Sequence, residues 1–422
     1  MTEREALDFL SAAGRFGELG LERTERLLAA LARPDRGMRF YHVAGTNGKG
    51  SATISLDAML RRLKRRTGRF ISPHLVRAHE RIAVDGLDIP AGSLAAAAEV
   101  VQEATRGMAD PPTEFELWTG IALLHFREQG VTDVAWETGL GGRYDATNAV
   151  SPEVSVITSI GLDHMDRLGP TLAAIAGEKA GILKPGRPAV VGDLPREALE
   201  VVEDEAGRLG VDIWRLGREI AVEGVEVQRD GTRFRYSDPV GALSVKTALV
   251  GGHQAGNAAL ALAALRRTLG AQEAARAAAA LGDVRWPGRF EVIEGEPTLI
   301  LDGAHNSQGA MSLRTTWHEV FPGIRPVALF GCLRDRDPVD IAGALRGEVA
   351  SLHAVAPPSP RAQDAGDLAR ILGGEAHPTV AQGLLAARTD ALRRGVPLLI
   401  FGSLYLIGAV EEILRRETVP SA

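Results

Sequence analysis

A glycine-rich segment with one lysine, Gly45 to Ser51 (GTNGKGS), constrains the fold of this 422-residue chain more than any other feature. The apolar run from Phe40 to Ala44 precedes it and is typical of a buried strand, whereas Ala52 to Leu63 has a helical pattern. A strand, a glycine turn and a helix in this order direct backbone N–H groups and the positive helix end toward an anion. The sequence therefore predicts an α/β fold with a phosphate site at this turn.

The residue types in this turn suit a nucleoside triphosphate. Its glycines let the backbone approach phosphate, Lys49 adds a mobile positive charge, and the Ser51 hydroxyl is a ligand for Mg²⁺. The spacing differs from the usual P-loop, because the first gap is shorter and Gly50 separates the lysine from the serine. The alternative is a glycine turn with a chance lysine, but the flanking strand and helix favour a nucleoside triphosphate. The predicted nucleotide-binding residues of the turn are Thr46, Asn47, Gly48, Lys49, Gly50 and Ser51.

Composition excludes several other classes of protein. With 45% hydrophobic and 24% charged residues the chain is globular, and its net charge of −6 argues against a nucleic-acid partner. Its only cysteine, Cys332, rules out internal disulfides and cysteine-based metal clusters. No apolar run is long enough to span a bilayer, and the N-terminus does not resemble a signal peptide. We therefore expect a cytoplasmic protein with no membrane partner.

Two further strand ends carry polar residues. The apolar segment Val131 to Trp136 ends in Glu137, and the segment Val154 to Ile160 leads to a polar stretch that contains His164. A carboxylate at a strand end beside a phosphate loop is typical of an Mg²⁺ ligand. Because open α/β sheets bind ligands where their parallel strands end, we expect these residues to share one crevice.

Two other polar segments have alternative interpretations. The stretch from Ser72 to Ile82 is rich in Arg and His, and it is either a substrate-binding loop or an ordinary surface loop. Glu178 and Lys179 lie in a predicted helix from Thr171 to Gly181, and such a pair usually marks a solvated helix face.

The second half of the chain predicts an insert and a second domain. Residues 219–249 alternate as short antiparallel strands, and Gly251 to Asn257 is expected to cap an Ala-rich helix at 258–268. Trp286 to Arg289 reads as a linker, after which strands and helices alternate again. The predicted domains are residues 1–286 and 287–422.

Taken together, these motifs resemble the folylpolyglutamate synthase/dihydrofolate synthase family of Mur-type amide ligases. The resemblance extends over nearly the whole chain. Its most specific stretches are HVAGTNGKGS, SPHLVRAHERI, ETGLGGRYDATN, SIGLDHMDRLG, EKAGILK, HQAGNAALAL, WPGRFE and LDGAHN. The shortened glycine loop is itself a mark of this family.

The resemblance implies an N-terminal P-loop-like ATPase domain with a mostly parallel sheet and a smaller C-terminal Rossmann-like domain. It implies ATP and Mg²⁺, with two ions, as cofactors. The catalytic residues that it implies are Lys49, His164 and Lys179, the last as a carbamate. The implied metal ligands are Ser51, Glu137 and His164, and further ATP contacts are Asn257, Arg289 and Asp302. The folate would meet Ser72, Pro73, Arg81, Thr113, Phe115 and Asp145, and the incoming glutamate would meet His305 and Ser403.

The segment GGRYDATN is more similar to the dihydrofolate-making branch of the family than to enzymes that only extend glutamate tails. The resemblance therefore implies a bifunctional, monomeric ligase that acts on dihydropteroate, reduced folates, L-glutamate and ATP. Three alternatives remain open: a synthase that only extends tails, a Mur-type cell-wall ligase, and a P-loop regulatory module without synthetic activity.

Overall fold

The structure, a computed structural model, describes residues 1–14, 17 and 19–418, and its N-terminal half is built on an eight-stranded sheet. The strand order is β4-β3-β2-β5-β1-β6-β7-β8. The strands are β1 Arg39–Ala44, β2 Thr67–Phe70, β3 Ile82–Val84, β4 Leu87–Asp88, β5 Asp133–Glu137, β6 Pro152–Ile157, β7 Ala189–Val191 and β8 Ile213–Arg215. All neighbours from β2 to β8 pair in parallel, whereas β3 and β4 add an antiparallel edge.

Helices follow most of these strands, as parallel connections require. The helices of this half of the chain are α1 Glu3–Ala12, α2 Glu22–Ala30, α3 Lys49–Arg62, α4 Ala91–Thr105, α5 Glu114–Glu128, α6 Met165–Leu168, α7 Leu172–Ala180, α8 Arg196–Leu209, α9 Gly252–Leu269 and α10 Ala271–Ala278. Short 3₁₀ turns lie at Ala78–Arg81, Ala146–Ala149 and Ala279–Asp283. The predicted glycine cap at 251–257 is wrong, because α9 already begins at Gly252.

The indole of Trp136 lies at the centre of an aromatic core beneath β1, β2 and β5. Its ring centroid is 4.7 Å from that of Phe70 and 5.5 Å from that of Phe40. The indole N–H donates to the carbonyl of Thr147 at 2.9 Å, so its one polar group is satisfied. This packing fixes the strand that ends in Glu137 beside the strand that leads into the glycine loop.

A three-stranded sheet in the order β11-β10-β9 follows, with β9 Ala221–Gln228, β10 Gly231–Asp238 and β11 Gly241–Thr247. The insert expected at residues 219–249 matches these bounds. The chain divides into two compact units, and this sheet contributes to both. The first unit holds residues 1–224, 234–245 and 256–284, and the second holds 225–233, 246–255 and 285–422.

The second unit contains a six-stranded sheet in the order β12-β13-β17-β14-β15-β16. Its strands are β12 Glu291–Ile293, β13 Leu299–Asp302, β14 Val327–Phe330, β15 Ser351–Ala354, β16 Glu375–Ala376 and β17 Leu398–Phe401. Its helices are α11 Ser307–Val320, α12 Pro338–Ala342, α13 Ala365–Leu372, α14 Val380–Arg394 and α15 Leu404–Thr418, with a 3₁₀ turn at Gly343–Leu345. Only β12 pairs antiparallel.

The predicted α/β class with a mostly parallel first sheet is confirmed, and the sheet of the second unit is mixed because β12 is antiparallel. Among the described residues, no helix is both long enough and apolar enough to cross a bilayer.

Candidate functional site

The glycine loop lies between the end of β1 and the start of α3, as the sequence predicts. Gly48 has a φ of 84°, and a Cβ there would lie 2.4 Å from Oδ1 of Asn257. A Cβ on Gly45 would lie 2.0 Å from Oγ1 of Thr158. Both positions therefore require glycine, and Asn257 is in contact with the loop although it is more than 200 residues away in sequence.

Residues just after β6 hold the loop in place. The N–H groups of Thr46 and Asn47 donate to the carbonyl and the hydroxyl of Ser159, at 2.8 and 2.9 Å. The hydroxyl of Thr158 donates to the carbonyl of Asn47 at 2.6 Å. Sequence reasoning did not single out Thr158 or Ser159, because isolated hydroxyl residues carry no motif of their own.

Two lysine amines converge on one carbonyl oxygen of the loop. Lys49 Nζ donates to the Gly45 oxygen at 3.0 Å, and Lys179 Nζ donates to the same oxygen at 2.9 Å. Lys179 is 4% exposed, so the alternative of a solvated helix face is wrong. Burial and, to a smaller extent, the charge of Lys49 lower the pKa of Lys179 to about 7, while the charge of Asp163 opposes the shift.

The three predicted metal ligands lie where β1, β5 and β6 end. Glu137 is the last residue of β5 and pairs with Val43 of β1, and Ser51 is in the first turn of α3. Both are buried, and Glu137 Oε2 accepts from the Ser72 N–H at 3.4 Å. His164 is half exposed, and its backbone has a φ of 51°.

Asp163 accompanies His164 and was not predicted as a site residue. Its carboxylate is buried, and Oδ1 accepts from the His164 N–H at 2.8 Å. Because Asp163 also acts electrostatically on Lys179, it belongs to the same polar cluster.

The loop after β5 is held by Asp145. Oδ2 accepts from the Leu140 N–H at 2.8 Å, and Oδ1 accepts from the Thr147 N–H at 3.0 Å and from the Thr147 hydroxyl. Burial raises the pKa of Asp145, and these bonds oppose the shift. The carboxylate therefore stabilises its own loop, and its predicted contact with the folate stays a prediction.

The same loop packs against the end of α7, the helix that carries Lys179. A Cβ on Gly142 would lie 2.8 Å from the backbone carbonyl oxygen of Glu178, and one on Gly181 would lie 2.4 Å from Cα of Arg143. The Arg143 N–H donates to the Glu178 oxygen at 2.7 Å. This close packing couples the position of Lys179 to the loop.

The predicted folate-binding residues fall into two neighbouring groups. Ser72 and Pro73 follow β2, and Ser72 contacts Glu137 as described above. Arg81 lies with its guanidinium carbon 5.2 Å from the Trp118 ring centroid and donates from Nε to His74 at 3.0 Å.

Thr113 and Phe115 lie at the start of α5. The Thr113 hydroxyl caps the helix by accepting from the Glu116 N–H at 3.4 Å. The Phe115 ring is half-buried, 5.7 Å from the Phe70 ring, and a Cβ on Gly139 would lie 2.5 Å from it. Phe115 therefore bridges α5 and the loop that follows Glu137.

In the second unit, the predicted residues gather where β13 and β17 end. Asp302 is buried and accepts from the N–H groups of Phe290 and Ala304, each at 2.8 Å. Burial raises the pKa of Asp302, while the charge of Arg289 opposes this shift. His305 Nδ1 lies 2.7 Å from the Gly303 oxygen.

Ser403 follows β17, the parallel neighbour of β13, and its buried hydroxyl accepts from the Tyr405 N–H at 3.1 Å. Arg289, Asp302, His305 and Ser403 thus share one edge of this sheet.

Comparisons with known proteins agree with this arrangement. The Mur ligase middle domain matches residues 43–265, and the Mur ligase glutamate ligase domain matches residues 288–404. The dihydrofolate synthase/folylpolyglutamate synthase of Bacillus subtilis is 34% identical over 98% of this chain and 99% of its own length. The chain belongs to the folylpolyglutamate synthase/dihydrofolate synthase family.

Another family member, the dihydrofolate synthase/folylpolyglutamate synthase of Escherichia coli, is 34% identical over 94% of this chain and 92% of its own. Solved structures of family members also superimpose on this chain over nearly its whole length. Mycobacterium tuberculosis folylpolyglutamate synthase complexed with ADP and AMPPCP superimposes with a TM-score of 0.90 at 32% identity, covering 97% of this chain and 98% of the other. Escherichia coli FolC in complex with DHPP and ADP gives a TM-score of 0.90 at 32% identity over 99% of both chains.

Proposed function

We propose that this protein is an ATP-dependent ligase that joins the amino group of L-glutamate to the carboxylate of dihydropteroate and of reduced folates. The observation that carries the proposal is the convergence of the Lys49 and Lys179 amines on the glycine loop at the end of a parallel sheet. Family membership and the ADP and DHPP complexes of relatives support it.

The glycine loop would hold the triphosphate of ATP. Backbone N–H groups of residues 48–51 lie at the N-terminus of α3, where the helix dipole favours negative charge. Lys49 would release the Gly45 carbonyl and pair with a phosphate oxygen. Asn257 already contacts the loop and would extend the site. We propose that Arg289 and Asp302 bind ATP, the latter at its ribose.

Mg²⁺ fits part of the predicted ligand set. The Ser51 hydroxyl and the Glu137 carboxylate are buried oxygen donors at neighbouring strand ends, which suits a hard cation, whereas the His164 imidazole is an unusual direct ligand. We propose that Ser51 and Glu137 hold the ion directly and that His164 acts through water. The ion would supply charge neutralisation at the phosphates.

We propose that Lys179 carries a carbamate and helps to hold a second Mg²⁺. The neutral amine attacks CO₂ and loses one proton, so a buried amine with a lowered pKa is suited to the reaction. A carbamate would replace a cation beside Lys49 by an anion. Carbon-13 NMR in labelled bicarbonate should show a carbamate signal that is absent from Lys179→Met; an identical spectrum in both proteins would contradict the proposal.

The folate would lie against the segment after β2 and the start of α5. Phe115 offers a ring face for stacking, Arg81 offers a cation for the carboxylate end, and Ser72, Pro73 and Thr113 would line the pocket. Asp145 would act by holding the adjacent loop. We propose that His305 and Ser403 bind the incoming glutamate.

A carboxylate does not react directly with an amine, because the leaving group would be oxide, and it must therefore be activated first. A carboxylate oxygen attacks the γ-phosphorus of ATP, the bond to ADP breaks, and an acyl phosphate forms. The glutamate amine then attacks the acyl carbon, inorganic phosphate leaves, and the ammonium loses a proton to give the amide. Phosphoryl transfer requires positioning and charge neutralisation, which the loop amides and Lys49 would provide.

The test measures ADP release by the whole protein in two mixtures. Dihydropteroate plus glutamate and a reduced folate plus glutamate should each produce ADP and one amide per ADP. If only the reduced folate is turned over, the protein is a synthase that only extends glutamate tails. No turnover of either would favour a cell-wall type ligase or a module without synthetic activity.

We also propose that residues 1–286 form the ATP-binding domain and 287–422 the ligase domain.

A further inference from the structure

A cluster of two histidines and one glutamate lies at the edge of the second unit's sheet. Among the described residues, His353, Glu375 and His377 form a group in which one ligand atom from each lies within 4.8 Å of the others. These residues belong to β15, to β16 and to the position just after it, whereas the candidate site of this unit follows β13 and β17. The proposed ligase reaction does not use them.

Strand geometry explains why the three side chains meet. His353 pairs in parallel register with Glu375, so their side chains project from the same face. His377 lies two residues beyond Glu375, and its N–H donates to the Ala354 oxygen at 2.9 Å, which continues the pairing. With a period of two, His377 returns to the face of Glu375. The spacing Glu-x-His on this edge strand therefore places both side chains on the same face as the buried His353. The sequence alone does not reveal this, because it depends on how the strands pair.

The histidine nitrogens are arranged as metal ligands commonly are. His353 Nδ1 lies 2.9 Å from His377 Nε2, and the two rings are stacked with centroids 5.1 Å apart. The other nitrogen of His353, Nε2, makes no hydrogen bond although it is buried, and it lies 3.7 Å from Oδ2 of Asp390. The negative charge of Asp390 at this distance favours a proton on Nε2, and that tautomer leaves Nδ1 with the lone pair that binds a metal.

Asp390 is itself held firmly on α14. It accepts from the Ser351 hydroxyl, from Arg393 and, with both oxygens at 3.0 Å, from Arg394 Nε. The carboxylate is therefore fixed before any ion binds. Glu375 is exposed at the edge strand, so an ion can enter from solvent.

We propose that His353 Nδ1, His377 Nε2 and the Glu375 carboxylate bind one divalent transition-metal ion of the Zn²⁺ type, which ties β16 to β15. Two imidazoles and one carboxylate suit Zn²⁺ and its first-row neighbours better than Mg²⁺ or Ca²⁺. A fourth position remains for water. Two nitrogens on a tetrahedral Zn²⁺ are about 3.3 Å apart, given Zn–N bonds of about 2.0 Å. The observed 2.9 Å therefore needs to open by only a few tenths of an ångström.

The competing interpretation is a hydrogen bond between two neutral histidines, with no ion. In that case one nitrogen of the pair donates to the other, and Glu375 is an ordinary surface residue. Metal binding separates the two interpretations, because only the first requires Glu375.

The test is a Zn²⁺ titration of the full-length, EDTA-treated protein against a chromogenic zinc indicator, with excess Mg²⁺ to fill oxygen-rich sites. The wild type should bind one equivalent of Zn²⁺, and its affinity should exceed that of His377→Ala and of Glu375→Gln by at least about tenfold. Even the loss of a group that only hydrogen-bonds to a zinc ligand lowers the affinity by about that factor. Co²⁺ should give the visible absorption of a tetrahedral site in the wild type and lose it in both variants. Bound Zn²⁺ should also raise the unfolding temperature of the wild type but not that of His377→Ala or Glu375→Gln.

His318→Ala is the matched control, because His318 is an exposed histidine of the same unit that pairs with Glu348. It should bind Zn²⁺ as the wild type does. Equal affinity in the wild type, His377→Ala and Glu375→Gln would overturn the proposal and leave a core hydrogen bond. If His377→Ala fails to fold by circular dichroism, Glu375→Gln decides alone, because its side chain is exposed.

Discussion

The amine of Lys179 lies in an environment that disfavours its positive charge. Burial and the charge of Lys49 lower its pKa from 10.5 to about 7 in the folded protein. Between these two values the unfolded chain binds more protons than the folded one, so the free energy of unfolding rises with pH across this window. Below pH 7 both states are protonated, and the full cost of burying the charge is present.

Lys179→Met should remove this dependence. In CO₂-free buffer with EDTA, the free energy of unfolding of the wild type relative to Lys179→Met should rise by about 1.4 kcal/mol per pH unit above pH 7. Urea unfolding at pH 7.5, 8.5 and 9.5 measures the difference. Lys246→Met, at an exposed lysine paired with Asp230, is the control and should show no such slope. A flat difference for Lys179→Met would mean that the amine stays charged when buried.

The carboxylate of Asp145 accepts three hydrogen bonds within its own loop. Asp145→Ala leaves the Leu140 and Thr147 N–H groups without their acceptor, at a cost of about 1–3 kcal/mol each when buried. Because this loop packs on the helix of Lys179, both dihydrofolate synthesis and tail extension should fall by similar factors, up to about a hundredfold.

The kcat and KM of the two reactions measure this. Asp145→Asn keeps an acceptor oxygen for one of the two N–H groups and should retain more activity than Asp145→Ala. If only dihydrofolate synthesis were lost, Asp145 would instead contact the pterin ring, as the sequence alone predicted.

At the scale of elements, the end of α7 packs closely against the loop after β5, and Gly181 is one of the glycines at that contact. Gly181→Ala would place a Cβ 2.4 Å from the backbone of Arg143, so the loop or the helix must move. Gly177, on the same helix, has its nearest neighbour 4.0 Å away. The two glycines therefore form a matched pair.

Gly181→Ala should destabilise the protein by about 1–3 kcal/mol and lower ligase activity. Gly177→Ala should leave activity unchanged and raise stability slightly, since alanine is favoured in helices by about 1 kcal/mol. Urea unfolding and ADP release measure both effects. Equal behaviour of the two variants would show that the contact at Gly181 relaxes without consequence.

How far the sequence predicts these elements depends on whether packing is local. The strands β1, β5 and β17 follow from apolar runs, and the glycine loop follows from its neighbours. Strand β2 was missed because Gly68 and Arg69 interrupt its pattern; Gly68 is there because a Cβ would lie 3.0 Å from the Phe126 ring. The burial of Lys179 was equally hidden, because its neighbours come from β1 and from the loops after β5 and β6.

At the scale of the whole molecule, each unit places its predicted residues where parallel strands end. In the first unit these are the ends of β1, β5 and β6, and in the second the ends of β13 and β17. Parallel strands direct all their carboxyl ends to one edge, so residues from distant motifs meet there without any local signal. The site was therefore predictable as a set of strand ends, and the supporting roles of Thr158, Ser159 and Asp163 were not.

At the scale of the whole reaction, the acyl phosphate route predicts where one carboxylate oxygen of the substrate goes. If the carboxylate of dihydropteroate is labelled with ¹⁸O, the acyl phosphate route transfers one labelled oxygen to inorganic phosphate, because the bond between that oxygen and the acyl carbon breaks when the amine attacks. Mass spectrometry of phosphate should find one ¹⁸O per amide formed. Unlabelled dihydropteroate in ¹⁸O water is the control and should give unlabelled phosphate. Label in AMP would instead reveal an acyl adenylate, and unlabelled phosphate from labelled substrate would mean that ATP hydrolysis is not coupled through the carboxylate.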